Sequence, residues 1–140
     1  MVILCDTGPL VAAANRRDGQ FHACTELFTG LHLAGRRILV PGTVAAEVGY
    51  LLGTRAGVRS EVSFLRSMAD GAFQSVDLQP VDYARMAELV ETYADFPLGT
   101  TDASVIALAE RLGVTEVATL DHRHFGAVRP RHVPAFQLLP

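Results

Sequence analysis

Two stretches of the chain end an apolar run on a carboxylate. In VILCDTG, Val2 to Cys5 lead into Asp6; in VATLDHRHF, Val117 to Leu120 lead into Asp121. A charge at the end of a buried strand costs free energy unless something pairs with it. Two further acids sit in equally specific places. Glu47, in PGTVAAEVGYLL, lies at i+3 from Val44 and i−4 from Leu51, on the stripe expected to face the core. Asp102, in GTTDASVIALAERLG, opens a helical pattern behind Thr100 and Thr101. Taken singly, each acid has a structural use. Asp6 can initiate the turn at Gly8-Pro9, Asp121 can cap the short turn DHRHF, Asp102 favours the positive end of its helix, and Glu47 can pair with an arginine. One shared divalent cation accounts for all four with a single cause.

The donor set selects the ion. Four carboxylates with neighbouring hydroxyls are hard oxygen ligands that suit Mg²⁺ or Mn²⁺ rather than Zn²⁺. The histidines show no zinc spacing: His22, His32 and His132 stand apart, and His122 and His124 flank Arg123 across a turn. They read as surface residues, with His122, next to Asp121, the one placed to touch a substrate. An acid-only cation site at the edge of an α/β sheet fits metal-assisted attack of water on a phosphate ester. Related chemistries fall away. Asp6-Thr7-Gly8 suggests an aspartic protease, but there the motif sits on a loop of an all-β fold, and here DTGPLVAAA runs on into a helical pattern. No GxxxxGK[ST] loop is present. All 12 basic residues are arginine, so the lysine of a response-regulator receiver is missing, and Gly8 replaces the second acid of a haloacid-dehalogenase motif.

The elements that must position these acids follow from periodicity. Apolar runs at 2–5, 38–40, 74–78 and 116–120, with a weaker one at 135–139, read as strands. Helical stripes lie between them: Val44, Val48, Leu51; Tyr83, Met86, Ala87, Val90; and Val105, Leu108, Ala109, Leu112, ended by Gly113 at a C-terminal glycine position. This alternation predicts an α/β fold, a mostly parallel central sheet with helices on both faces, in one domain spanning residues 1–140. Val58, Val62 and Leu65 form another stripe, serving a core or an interface. A chain of 140 residues, 49% hydrophobic, buries enough surface to fold without disulfides, and Cys5 and Cys24 read as reduced core thiols. With no leader and no apolar run near the ~18 residues of a membrane span, a cytoplasmic location is expected. The net charge is −3, but the bases are uneven. HRHFGAVRPRH carries Arg123, Arg129, Arg131 and three histidines without an acid, and with Arg16-Arg17 it is expected to form a phosphate-contacting rim.

Four blocks, ILCDTGPLVAA, VPGTVAAEVGYLL, YADFPLGTTDASVIALAERLG and VATLDHRHF, resemble in order those of PIN-domain ribonucleases, most closely the VapC-type toxins of type II toxin–antitoxin pairs. The resemblance covers nearly the whole chain. It implies that Asp6, Glu47, Asp102 and Asp121 are a catalytic and metal-binding quartet, with the Thr7 and Thr119 hydroxyls beside it; Arg123, from the basic segment, is expected to contact substrate there. It also implies Mg²⁺- or Mn²⁺-dependent endonucleolytic cleavage of RNA to 5′-phosphate and 3′-hydroxyl ends, homodimerisation, and inhibition by a small cognate antitoxin. Asp95, in YADFPLG, is a loop acid near the third block that either supports the site or does not. The alternative is a non-catalytic module of the same fold whose acidic pocket seats a basic side chain from a partner.

Overall fold

A computed structural model describes residues 1–140. The elements run β1 (Val2–Cys5), α1 (Thr7–Ala13), α2 (Phe21–Leu33), β2 (Arg37–Pro41), α3 (Gly42–Arg55), α4 (Val58–Ala69), β3 (Gln74–Val76), α5 (Pro80–Thr92), α6 (Thr100–Leu112), β4 (Glu116–Ala118), α7 (His122–Ala127) and β5 (Gln137–Leu139). The five strands form one sheet in the order β3-β2-β1-β4-β5. Every neighbouring pair is parallel, so the sheet expected to be mostly parallel is wholly so. Ile3, Leu4 and Cys5 are consecutive and all fully buried. Successive strand residues point to opposite faces, so both faces of the central strand are covered, which is why it reads as a continuous apolar run. One cluster of 31 buried apolar residues draws on β1, β2, β4 and the flanking helices, a single core.

The strand order reverses at the centre. From β1 the chain steps outward to β2 and β3, then returns to add β4 and β5 on the other side. Such a switch point leaves a crevice beyond the carboxyl ends of the two diverging strands, where ligands of open α/β sheets bind. The pairing of Cys5 with Ala118 puts Asp6 and the segment after β4 side by side, and the Asp6 N–H donates to the Ala118 carbonyl at 2.8 Å.

Two apolar stripes settle differently from their sequence pattern, and a third resolves between its two expected uses. Along α5 the buried residues are Asp82, Met86 and Leu89, whereas Tyr83 and Val90 are exposed; only Met86 of the expected stripe faces the core. Charge sets this phase, because Arg111 of α6 bonds Asp82 at 2.8 Å and Arg85 reaches Glu110 of α6 at 2.7 Å. On α4, Phe64 is the buried residue, and Val58, Val62 and Leu65 are exposed, so that stripe does not serve the core. Along α3, Val44, Val48 and Leu52 are fully buried, and Glu47 is exposed. Glu47 therefore lies beside the core stripe, facing the crevice. No helix is long and apolar enough to cross a membrane.

Candidate active site

Asp6, Thr7, Gly8, Glu47, Asp102, Leu120 and Asp121 line one cavity of about 470 Å³ at the switch point. All four acids singled out from the sequence thus converge, although the first and last of them stand near opposite ends of the chain. Each is carried there by a different element: Asp6 between β1 and α1, Glu47 on α3, Asp102 on α6, Asp121 past β4. A short polar link docks the two helices. The hydroxyls of Thr43 (α3) and Ser104 (α6) lie 2.6 Å apart, and Ser104, fully buried, also donates to the Thr101 carbonyl. One turn beyond Thr43 comes Glu47; half a turn before Ser104 comes Asp102.

Hydroxyls orient the carboxylates. Thr119, fully buried, donates to Asp6 Oδ2 at 2.8 Å and accepts the Asp121 N–H at 3.0 Å, so one side chain ties two acids together. Thr7 donates to Glu47 Oε2 at 3.3 Å. The structural uses weighed from sequence divide. Asp6 stands at the N-cap of α1 without the side-chain bond of a capping residue, its only α1 partner being the adjoining Thr7 backbone, and Glu47 pairs with no arginine. Asp121 does cap α7 through the His124 N–H, and Asp102 accepts the Gly99 N–H at 3.3 Å. Capping and cavity lining therefore coexist in those two side chains.

Burial and mutual repulsion perturb the group. Asp6 is raised from an ordinary 3.8 to about 6, first by burial and then by Asp102 and Glu47, against hydrogen bonds from the Thr7 backbone and the Thr119 hydroxyl. Asp102 is raised too, by burial and then by Asp121 and Glu47, while the Gly99 N–H and His124 pull the other way. Two carboxyls held above their ordinary range in one crevice are the mark of acids brought together for a cation or a proton. The four do not close into a cage as they stand, since no three His, Cys, Asp or Glu side chains are placed to hold one ion.

His124, which the sequence pattern left on the surface, is the histidine of this site. The DHRHF turn is helical, so the residue three after Asp121 swings back onto it, and His124 Nδ1 bonds the Asp121 carboxylate at 2.9 and 3.1 Å. His122 points outward and is exposed. The spacing carries the signal, because i,i+3 is the separation of neighbours on a helical turn. Phe96, which no sequence pattern marked, stacks on His124 with ring centroids 4.4 Å apart, and the Arg123 guanidinium lies 4.9 Å from the same ring centre. Arg123 thus flanks the site through Phe96 without lining the cavity. Asp95 is exposed and outside the lining residues. Of the expected basic rim, Arg131 is engaged by Glu88 at 2.7 Å. Gly8 has a steric duty: a Cβ there would stand 3.2 Å from Leu120 Cβ, so glycine lets α1 approach the segment that carries Asp121.

Comparison with known proteins places this geometry. Residues 3–129 match the PIN domain. Ribonuclease VapC26 of Mycobacterium tuberculosis is 31% identical over 138 residues, 99% of this chain and 100% of its own. The crystal structure of VapC20 of M. tuberculosis, a sarcin-ricin loop cleaving toxin, superposes with a TM-score of 0.80 at 19% identity, over 94% of this chain and 98% of that one. A toxin–antitoxin complex from Klebsiella pneumoniae gives 0.65 at 18% identity, over 96% and 98%. With a crevice of four carboxylates at the switch point of a parallel sheet, and a match along almost its whole length, the chain belongs to the PIN-domain family and, within it, to the VapC ribonucleases.

Proposed function

We propose that this protein is a Mg²⁺- or Mn²⁺-dependent endoribonuclease of the cytoplasm that acts as the toxin of a toxin–antitoxin pair. The observation that carries this reading is the convergence of Asp6, Glu47, Asp102 and Asp121 on one open cavity. The donor set fits a hard divalent cation: four carboxylates from four elements, two of them perturbed upward, with the Thr7 and Thr119 hydroxyls holding carboxylate orientation. Asp6, Asp102 and Asp121 are the residues that would hold the ion, with Glu47 either joining them or orienting the attacking water. When bound, the cation supplies Lewis acidity at the scissile phosphate and a lowered pKa for water.

The protein's own groups do the rest. Glu47, exposed at the cavity mouth and steadied by Thr7, is placed to accept a proton from water approaching the phosphorus. Asp6, deeply buried and braced by Thr119, has the least freedom and fixes the floor of the site. His124 and Phe96 hold Asp121 against the cavity wall, and Arg123 beside them offers a cation to a substrate phosphate.

A small antitoxin as partner is supported by the likeness to a toxin–antitoxin complex, and the crevice suits an inserted arginine, whose fork of N–H donors matches two carboxylates. The exposed apolar face of Val58, Val62 and Leu65 supports a homodimer, which light scattering at micromolar protein would register as twice the 15.1 kDa chain mass. The function is tested by incubating purified protein with total RNA in Mg²⁺, Mn²⁺ or EDTA beside Asp6→Asn. Cleavage by the wild type in either metal alone is the expected result. Cleavage undiminished by EDTA or by Asp6→Asn would reject the acidic crevice as a metal-dependent catalytic site, and no cleavage under any condition would leave the partner-binding module.

A further inference from the structure

A second polar cavity, of about 330 Å³, lies where the ends of α1 and α3 meet the start of α4. It is lined by Asn15, Arg16, Arg17, Arg55 and Ser60, with Ala14 and Ala56. Three exposed arginines thus line one hollow in a chain whose net charge is −3. None takes part in an ion pair, whereas Arg36, Arg85, Arg111 and Arg131 all do. Of the acids nearest in sequence, Asp18 accepts the Gln20 N–H at 2.8 Å, and Glu61, in the first turn of α4, turns its carboxylate toward Gly49 and Gly53 of α3 without pairing with any of the three. Ser60 belongs to the first turn of α4, which has no side-chain cap, so the free N–H groups of that turn add a positive end to the same hollow.

Arginines also suit helix C-termini, and Arg55 ends α3. Dipole complementarity, however, asks for one cation per helix end. It does not gather three around a shared cavity with an amide, a hydroxyl and an uncapped helix start. Location supplies the ligand. The helices α1 and α3 that border the acidic crevice at Thr7 and Glu47 run on to this cavity, with Arg55 eight residues past Glu47, about 12 Å along the axis. A strand lying across the acids and leaving along α1 and α3 meets the arginines within a few nucleotides.

We propose that this cavity is a phosphate subsite of the RNA-binding surface, in which Arg16, Arg17 and Arg55 hold the backbone of the strand away from the scissile bond. The inference rests on the ribonuclease reading and deepens it. Contacts of this kind give affinity and register without reading sequence.

The test is fluorescence anisotropy of a short, labelled single-stranded oligoribonucleotide in EDTA, titrated with protein across about 0.05–0.2 M salt. For every phosphate the protein ceases to neutralise, the slope of log affinity against log salt falls by roughly 0.7. Arg16→Gln/Arg17→Gln/Arg55→Gln should flatten it by about 2, so that its affinity and the wild type's converge about 15-fold as salt rises fourfold. Arg37→Gln/Arg66→Gln, which removes charge elsewhere, should keep the wild-type slope. Single variants, each flatter by about 0.7, carry the test if the triple variant melts early. A triple-variant slope equal to wild type, or the same flattening in the control, overturns the subsite. So does arginine-dependent capture of a polyglutamate peptide in place of RNA, which would mark an acidic partner's dock. Metal-dependent RNA cleavage by a wild type whose binding ignores these arginines would sink the subsite and leave the nuclease standing. Neither binding nor cleavage would sink both.

Discussion

Replacing Asp6 by asparagine should make the metal-free protein more stable, by an amount that depends on pH in a defined way. The Asp6 carboxyl is raised from 3.8 to about 6 by burial and by its acidic neighbours. A raised acid stabilises the folded state while it is protonated. That contribution is complete below the unfolded pKa and is lost as pH rises through the folded one, so the penalty accumulates from about pH 4 to about pH 6 and is constant above. At about 1.4 kcal/mol per pKa unit, the full penalty is about 3 kcal/mol. Asparagine keeps the shape and can still accept from the Thr119 hydroxyl, at the cost of burying an amide. A gain of about 1–3 kcal/mol above pH 7 is expected, which at roughly 3 °C per kcal/mol is a rise in Tm of about 3–9 °C. The assay is a set of thermal melts of wild type and Asp6→Asn in EDTA from pH 4 to pH 8. The difference should be zero or slightly unfavourable to the variant at pH 4 and grow in its favour through pH 6. A constant difference, or a variant less stable at pH 8, would refute the reasoning.

Other expectations follow from single contacts. Arg111→Ala strips the partner from Asp82, which is 2% exposed and held below its ordinary range by Arg111 against its burial, and should cost about 2–4 kcal/mol in urea unfolding at pH 7 with the cleavage rate of folded protein unchanged. Because Asp82 is lowered, that loss should shrink as pH falls through the carboxylate range. His124→Ala frees Asp121 from its ring partner and should lower metal affinity or cleavage about 10- to 100-fold while Tm moves by only a few degrees; wild-type activity would remove His124 from the site. If an antitoxin arginine occupies the crevice, raising Mg²⁺ or Mn²⁺ should relieve inhibition, and changing that arginine to alanine should abolish the metal dependence. Inhibition indifferent to both would show that the partner works by cover alone.

The central strand and the acids at its carboxyl end are legible in the sequence because burial on both faces forces an unbroken apolar run, and a carboxylate closing such a run stands out. The convergence of Asp6 with Asp121 needs only the adjacency of β1 and β4. Less visible is anything whose burial depends on a partner. Asp82 counts as polar in a periodicity scan, yet Arg111 carries it into the core and turns α5 away from Tyr83 and Val90. The exposed face of α5 shows the complementary failure, and that of α4 shows why its stripe reads equally as core or interface, since apolar spacing alone does not say whether a neighbour exists. At the site, adjacency in sequence favours His122 over His124, and a single turn of α7 reverses that order in space. Arg55 is invisible as part of a basic cluster, because it is brought to Arg16 and Arg17 by the packing of α1 against α3.

The most direct measurement is a Mn²⁺ titration read twice on the same protein, by calorimetry for binding and by cleavage of an RNA substrate for rate. Binding and activity should saturate together, and Asp6→Asn, Asp102→Asn and Asp121→Asn should each lose both. Activity that persists in any of these variants at wild-type metal affinity, or metal binding that survives the loss of all three carboxylates, would contradict the assignment of the acidic crevice as the catalytic metal site.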